Sequence, residues 1–406
     1  MSSIKNPRIV ILIGHFGRGG CERQAFLLAR EMMHRDLKVD VWALVRDGHD
    51  DEYAQEFQAI GLRTHVLDFK FPRCPFWPVR MGCWVQRVRN VAEQINRAGV
   101  DILLPFTTWP NVVAGLAYRR AGVTLCIWGE RHAGGERIPR IEGTAAKRFR
   151  RFVANSTAGA EFLAKEMGIP ADRISMVPNG VEMPGVSISG EWRARLGLNP
   201  EQLLAVKVAN LTLFKDHPTL LRAWKKVQDA WTDSDRPVLA LAGYHSDTYE
   251  ECQRIVREAG LHSTVRFLGQ VPDISALLST CDLTVFSSRR EGMPNAILES
   301  MAAGKPVIAT DLPGVRDALG SNATGMVVRP GDVDGFATKI LHLLQDRAKR
   351  ENIGASNAAR IRDEFSVERM ASRHLNIIQT ELASLARRRV HASDIVGPEQ
   401  LVRADK

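Results

Sequence analysis

Glu291-Gly-Met-Pro-Asn-Ala-Ile-Leu-Glu299, set between the apolar runs Leu283-Thr-Val-Phe286 and Pro306-Val-Ile-Ala309, reads as the loop and helix that join two buried strands. Pro294 favours the first turn of a helix, where its missing N–H costs nothing. Glu291 then lies in the loop before the helix and Glu299 inside it, with a rise of about 1.5 Å per residue between them. The free N–H groups of the first turn point at the space near Glu291 and suit a phosphate or diphosphate. A nucleotide sugar fits this layout, with its diphosphate on the helix N-terminus, one Glu near the sugar and the other near the ribose hydroxyls. The same spacing also fits an amphipathic helix with a solvated Glu at each end.

The strand, glycine turn, helix rhythm extends through the chain. Ile9-Val-Ile-Leu-Ile13 reads as a buried strand, Gly14 to Gly20 as a loop, and Glu22 to His34 as a helix by the spacing of Ala25, Leu28, Ala29 and Met32. Strands follow at Val39–Val45, Asp101–Pro105, Leu125–Trp128 and Phe152–Asn155. The rhythm breaks around Pro178-Asn-Gly-Val-Glu-Met-Pro184 and restarts after Gly190. The strands of the second half are Leu203–Ala209, Val238–Ala242, Val265–Leu268, Leu283–Phe286 and Pro306–Ala309. Short apolar strands alternating with helices predict a parallel sheet covered on both faces. The expected fold is α/β, with two Rossmann-like, doubly wound domains facing across a cleft. Ligands of such sheets sit outside the carboxyl ends of the strands. The expected cleft segments are Gly14–Gly20, Thr107–Asn111, Asn210–His217, Gly243–Ser246, Gly269–Pro272 and Ser287–Asn295.

A chain of 406 residues is too long for one ordinary core and suggests two domains. With 45% hydrophobic and 25% charged residues it has the composition of a globular protein. No apolar run reaches the length of a membrane span. Met1 to Pro7 leads directly into a strand, so no cleaved signal peptide is expected. Cys21, Cys74, Cys83, Cys126, Cys252 and Cys281 are scattered with no C-x-x-C pair, which argues against a disulfide framework and a zinc site and fits a reducing cytoplasm. The formal charge of +9 is uneven: Tyr118 to Arg151 holds nine Lys/Arg against three Glu. Such a basic face suits nucleic acid, anionic lipid or a phosphorylated substrate, or is merely solvated.

Other stretches carry weaker signals. Gly17-Arg-Gly-Gly20 lacks the G-x-G-x-x-G spacing of a dinucleotide site, yet its glycines let a backbone approach a ligand closely. Val208-Ala-Asn-Leu-Thr-Leu-Phe-Lys-Asp-His217 runs from a strand towards a helix near Pro218, and Lys215 is a suitable point charge for a diphosphate. His217 reads as a capping or packing residue. Asn155-Ser156 and Pro178-Asn-Gly180 read as turns. Arg131 and His132, in Glu130-Arg-His132, follow a strand and either touch a substrate or form a structural pair. Phe71-Pro-Arg-Cys-Pro-Phe-Trp-Pro78, with Trp84, reads as an irregular aromatic and basic segment, either a packed loop or one that dips into a membrane interface.

Taken together, Ser288 to Thr310 with Gly314, Gly19-Gly-Cys-Glu22, Pro178-Asn-Gly-Val181, Val208 to Lys215 and Phe267-Leu-Gly269 resemble, in order, the signature of the family 4 glycosyltransferases (glycosyl transferases group 1) of the GT-B fold. The resemblance runs from about Arg8 to Leu385. It implies two Rossmann-like domains: an acceptor-binding domain over residues 1–185, and a nucleotide-sugar-binding domain over 186–364. A C-terminal helix at about 365–386 crosses back to the first, and 387–406 is then a flexible tail. It implies sugar transfer from a nucleotide-diphosphate sugar with retention of configuration, with no cofactor and no essential metal. Glu291 would meet the donor sugar and Glu299 the ribose, with Gly292, Met293, Pro294 and Asn295 beside the diphosphate. Lys215 matches the diphosphate lysine, and Gly19 and Gly20 would close over the diphosphate from the other domain. Thr108, Asn111, Arg131 and His132 are the acceptor-side candidates. The family usually has Arg where Asn210 stands, so a different cation, such as Arg289 or Arg290, would have to compensate.

The expected acceptor is a saccharide, lipid-linked or anionic, as in the assembly of polysaccharide, lipopolysaccharide or glycolipid. The expected location is cytoplasmic, or peripheral on the inner face of the cell membrane, with no nucleic acid partner. The alternatives are a GT-B nucleotide-sugar epimerase, a phosphorylase, for which no cofactor lysine is marked, or a sugar-nucleotide-binding protein without activity.

Overall fold

The computed structural model describes residues 6–46, 52–71, 77–131, 139–185 and 191–395. The chain forms two compact units. Unit 1 comprises residues 1–154, 162–177 and 368–406, and unit 2 comprises residues 155–161 and 178–367.

Unit 1 is built on a seven-stranded parallel sheet. Its strands are β1 (Arg8–Ile13), β2 (Lys38–Ala43), β3 (Arg63–Val66), β4 (Ile102–Pro105), β5 (Leu125–Glu130), β6 (Arg151–Ala154) and β7 (Ile174–Met176). They lie in the order β3-β2-β1-β4-β5-β6-β7. Central β1 pairs Ile9 with Val39 on one side and Ile102 on the other. Val10, Ile11, Leu12 and Ile13 are fully buried, as an apolar run covered on both faces must be. Each such side chain stabilises the fold by about 1.5–3 kcal/mol. The sheet order reverses between β1 and β4, and the loops after these two strands open on that switch point.

Unit 2 repeats the plan with six parallel strands: β8 (Leu204–Val208), β9 (Val238–Ala242), β10 (Val265–Gly269), β11 (Leu283–Phe286), β12 (Val307–Thr310) and β13 (Val327–Val328). The order is β10-β9-β8-β11-β12-β13, which puts the switch point between β8 and β11. One face, through Ala205, Leu239, Leu241, Leu283 and Val285, packs on Leu220 and Trp224 of helix His217–Ala230 and on Phe336 and Ile340 of helix Val333–Gln345. The other, through Leu204, Val206, Val238 and Ala240, packs on Leu277 and Leu278 of helix Ile274–Thr280.

Several expectations need revision. The chain changes units at Val177–Pro178 rather than at 185, and residues 155–161 make an earlier excursion into unit 2. The last helix is Val367–Ile395, longer than the expected 365–386. Arg387 to Arg389 are helical, which removes 387–395 from the expected tail; residues 396–406 lie outside the described residues. This helix belongs to unit 1, where Glu381 pairs with Arg151 at 2.7 Å and Arg35 donates to the Glu368 carbonyl at 2.9 Å. The segment read as irregular through Trp84 becomes helical at Trp77, in helix Trp77–Arg97; residues 72–76 lie outside the described residues. Pro294 is not inside its helix but caps it in an extended conformation, and the helix runs over Asn295–Ala302.

Candidate functional site

In unit 2 the loops after β8 and β11, which flank the switch point, are bound to each other. Lys215 Nζ donates to Glu291 Oε1 at 2.6 Å. The pair is part-buried, with the Glu291 side chain 13% exposed and Lys215 32%. Arg289 N donates to the Phe214 carbonyl at 2.8 Å, and the Arg289 guanidinium meets the buried Asp216 carboxylate at 3.1 Å. Arg290 lies over the Phe214 ring, 5.6 Å from its centroid. These two arginines are thus engaged with the loop after β8.

Asp216 is the turning point of that loop. Its φ of 47° and ψ of 50° are left-handed, a region that Asp tolerates better than most residues. It caps helix His217–Ala230, and its carboxylate accepts from Thr219 Oγ1 at 2.9 Å as well as from Arg289. Beneath the turn lies Lys207, a lysine of β8 that is completely buried. Its Nζ donates to the Lys215 carbonyl and, at 2.7 Å, to Ser287 Oγ on the loop after β11. Ser287 Oγ in turn donates to the Asp216 carbonyl at 2.7 Å. Burial, with Lys215 nearby, pushes the Lys207 ammonium down to about 7, against the opposing pull of Asp216 and Glu291. His217, fully buried, is driven down to about 2 by burial and by the same two lysines. It is a neutral packing residue.

The Glu291 loop is braced from two further directions. Asn179, buried in Pro178-Asn-Gly180, donates to the Met293 carbonyl at 3.1 Å and to Asn295 Oδ1 at 2.7 Å. Asn155 Nδ2 donates to Asn179 Oδ1 at 3.2 Å. Gly314, in helix Pro313–Leu319, lies so close to the loop that a Cβ there would overlap the Gly292 carbonyl. Met293 and Pro294 are buried, whereas Asn295 and Glu299 are half-buried, and Glu299 lies inside the helix as expected. Asn210 is exposed, and its Oδ1 accepts from Tyr244 N at 2.9 Å, which ties the loop after β8 to the loop after β9.

In unit 1 the candidates gather at the ends of β1, β4 and β5. Gly20 opens helix Gly20–His34 and Gly19 caps it in an extended conformation. Thr107 has φ 73° and ψ 173°, a strained backbone for a β-branched residue and one that clusters at functional sites. Thr108 begins helix Thr108–Ala117. Asn111 is fully buried and spends both amide atoms on Gly129, donating to its carbonyl at 2.9 Å and accepting from its N–H at 3.0 Å. Arg131 is buried against the Phe106 ring, 3.9 Å from its centroid, and burial pushes its guanidinium down to about 10. Arg131 Nη2 donates to His374 Nε2 at 3.3 Å; His374 Nδ1, which then carries the proton, donates to the Met370 carbonyl at 2.9 Å. His132 lies outside the described residues.

Lys207 and Asn179 are the site residues that sequence reasoning missed. A single lysine in the apolar run Leu203–Ala209 is the signal that marks the first. Asn179 looks like any turn asparagine until its partners are seen.

Chemically, the unit 2 site offers a cation, a part-buried carboxylate and a helix N-terminus at a switch point, which together suit a bound diphosphate and a group attached to it. Residues 18–183 match the family model described as Glycosyltransferase Family 4, and residues 189–360 match Glycosyl transferases group 1. Between them the two models span most of the chain. Among curated relatives, the N-acetyl-alpha-D-glucosaminyl L-malate synthase of Bacillus anthracis is 25% identical over 46% of this chain and 48% of its own length. The N,N'-diacetylbacillosaminyl-diphospho-undecaprenol alpha-1,3-N-acetylgalactosaminyltransferase of Campylobacter jejuni is 22% identical over 90% of this chain and 97% of its own. The matches to the first curated relatives span only about half of those proteins, at 48%, 58% and 47% of their length. Among solved structures, Anabaena Alr3699/HepE in complex with UDP superposes with a TM-score of 0.78 at 20% identity, covering 92% of this chain and all of that one. The last comparison is a likeness of fold.

Proposed function

The chain belongs to the family 4 (group 1) glycosyltransferases of the GT-B fold, and from that premise we propose that it transfers a sugar from a nucleotide-diphosphate sugar to an acceptor hydroxyl with retention of configuration. The observation that carries this reading is the Lys215–Glu291 pair at the β8/β11 switch point. Departure of a nucleoside diphosphate needs its developing negative charge stabilised, and in this reading Lys215 and the N-terminus of helix Asn295–Ala302 supply that stabilisation. Glu291 positions the donor sugar, Glu299 holds the ribose, and Met293, Pro294 and Asn295 border the diphosphate. Attack comes from the same face as departure, and the leaving phosphate takes the acceptor proton. The reaction then requires no side-chain base and no metal ion. Proximity of the acceptor supplies much of the remaining rate.

The proposed acceptor is a saccharide on an anionic or lipid carrier, and the enzyme works peripherally on the inner membrane face. The name of the Campylobacter relative specifies a diphospho-undecaprenol acceptor, which supports this class. So do the basic excess between Tyr118 and Arg151 and the aromatic group of Phe71, Trp84 and Trp109, beside which Met81 and Val85 are exposed on helix Trp77–Arg97. Among the described residues no helix is long and apolar enough to cross a membrane. The test is turnover with a panel of nucleotide sugars and polyprenyl-diphosphate saccharides. Release of the nucleoside diphosphate that depends on both substrates, with an α-linked product from an α-linked donor, is expected. An inverted product, or no turnover with any donor, would overturn the reading.

A further inference from the structure

Asn210 brings no charge to the loop that carries Lys215, its Oδ1 accepts from Tyr244 N, and Arg289 is already paired with Asp216. Lys207 stands one layer below. It is the penultimate residue of β8, on the same face as Ala205 by the alternation of the strand, and its ammonium lies between the two loops that carry Lys215 and Glu291. A buried ammonium is expensive, and a strand position of this kind ordinarily takes Val or Ile. The hydrogen bonds to the Lys215 carbonyl and Ser287 Oγ offset part of that cost while holding the left-handed turn at Asp216.

With Lys207 protonated, three cations (Lys207, Lys215, Arg289) face two carboxylates (Asp216, Glu291); with Lys207 neutral the group balances. We propose that Lys207 is the buried second cation of the donor site, a positioning residue that clamps the loops after β8 and β11 and makes the site attractive to a diphosphate only while it carries its proton. This rests on the nucleotide-sugar reading above. The other titratable groups that face Lys207 are Lys215 and Asp216 on its own loop, Glu291 across from it, His217 on helix His217–Ala230 and Cys252 on helix Tyr249–Glu258. Burial sends Cys252 up to about 11 and His217 down to about 2, so neither changes charge between pH 6 and 9. A diphosphate that prefers the protonated lysine raises its affinity for the proton, and by linkage affinity for the diphosphate falls as pH rises through the titration of Lys207.

The probes are UDP-glucose, UDP-N-acetylglucosamine and GDP-mannose, whose diphosphate diesters do not titrate in this range, and the measurement is calorimetric affinity from pH 6 to 9. Wild-type affinity for whichever probe binds should fall about tenfold more over this range than that of Lys207→Met, as a one-unit upward shift on binding requires. The variant should be weaker at pH 6 and level with wild type at pH 9. Lys207→Arg, which keeps its charge throughout, should lose the step while retaining affinity. Should Lys207→Met fail to fold, Ser287→Ala is the second arm: one acceptor fewer for the ammonium moves the wild-type step to lower pH. Parallel profiles for wild type and Lys207→Met, or a wild-type profile flat across the range, would overturn the proposal while leaving the glycosyltransferase reading intact. Binding of none of the probes by wild type, in a panel widened to all common nucleotide sugars, would overturn that reading and this one with it.

Discussion

Glu291 and Lys215 hold each other at 2.6 Å, so under the proposed function a donor must share or replace that contact. The consequence separates the two carboxylates of the stretch. Glu291→Gln frees Lys215 for the diphosphate, so affinity for the free nucleoside diphosphate should hold or rise while turnover drops by about 100-fold. Glu299→Ala should instead weaken nucleoside diphosphate and donor alike, by about 1.5–3 kcal/mol, as loss of a charge-assisted hydrogen bond does. Calorimetry and steady-state rates on the two variants decide it; the reverse pattern would exchange their roles. The loop positions of Glu291 and Lys215 were legible in the sequence, because Gly, Pro and a strand end mark a loop at the ligand edge of a sheet, while their proposed roles rest on the family resemblance. Lys207 and Asn179 were not. Their roles come from partners 80 and 116 positions away, Ser287 and Asn295, and no local pattern encodes a contact of that range.

At the level of elements, the site depends on how closely helix Pro313–Leu319 approaches the Glu291–Gly292 loop. Gly314→Ala must displace the Gly292 carbonyl. The expected cost is about 1–3 kcal/mol in stability, the usual penalty of overpacking, together with a loss of donor affinity. Unchanged urea midpoints and unchanged affinity would show that the loop yields freely. The main strands could be read from sequence because runs such as Val10–Ile13 and Val238–Ala242 are buried on both faces. The edge strands β3, β7 and β13 could not. Arg63-Thr-His-Val66 alternates exposed and half-buried residues, and the pairing of Val327-Val328 is only two residues long. Helix Trp77–Arg97 was misread because Pro and aromatic residues at its start resemble loop chemistry. Its exposed Met81 and Val85 supply a test of the membrane proposal. Binding to anionic liposomes should weaken with salt, over a Debye length of roughly 8–10 Å, yet leave a remainder that Met81→Ser with Val85→Ser abolishes. Each inserted side chain contributes about 1–2 kcal/mol to that remainder. No co-sedimentation at low salt would contradict a membrane role.

For the molecule as a whole, two buried neutral histidines set part of its response to acid. His374 is pushed down to about 3 by burial and by Arg131, and His217 to about 2. Below pH 6.5 the unfolded chain takes up protons that the native protein refuses, so stability present at neutral pH is lost as pH falls. Each histidine contributes up to about 1.4 kcal/mol per pH unit until its native pKa is reached. His374→Gln keeps an acceptor for Arg131 and should flatten the acid limb between pH 6 and 4 in urea unfolding; a limb as steep as that of wild type would remove His374 from the account. The doubly wound pattern was visible along nearly the whole chain, but the reach of the last helix was not, because Arg387-Arg-Arg389 has the composition of a tail although it lies in a helix that runs to Ile395. Unit 2 is proposed to bind a nucleoside diphosphate through Lys215 at the β8/β11 switch point. A ligand that binds only the folded state raises its melting temperature, so thermal unfolding of wild type and Lys215→Ala with UDP, GDP, ADP and dTDP tests it directly. At least one of the four should stabilise wild type in a concentration-dependent way, and Lys215→Ala, each sample referred to its own ligand-free melting temperature because the Glu291 pair is lost, should lose most of the shift; an equal shift in the variant, or no shift in wild type, would rule out this role for Lys215.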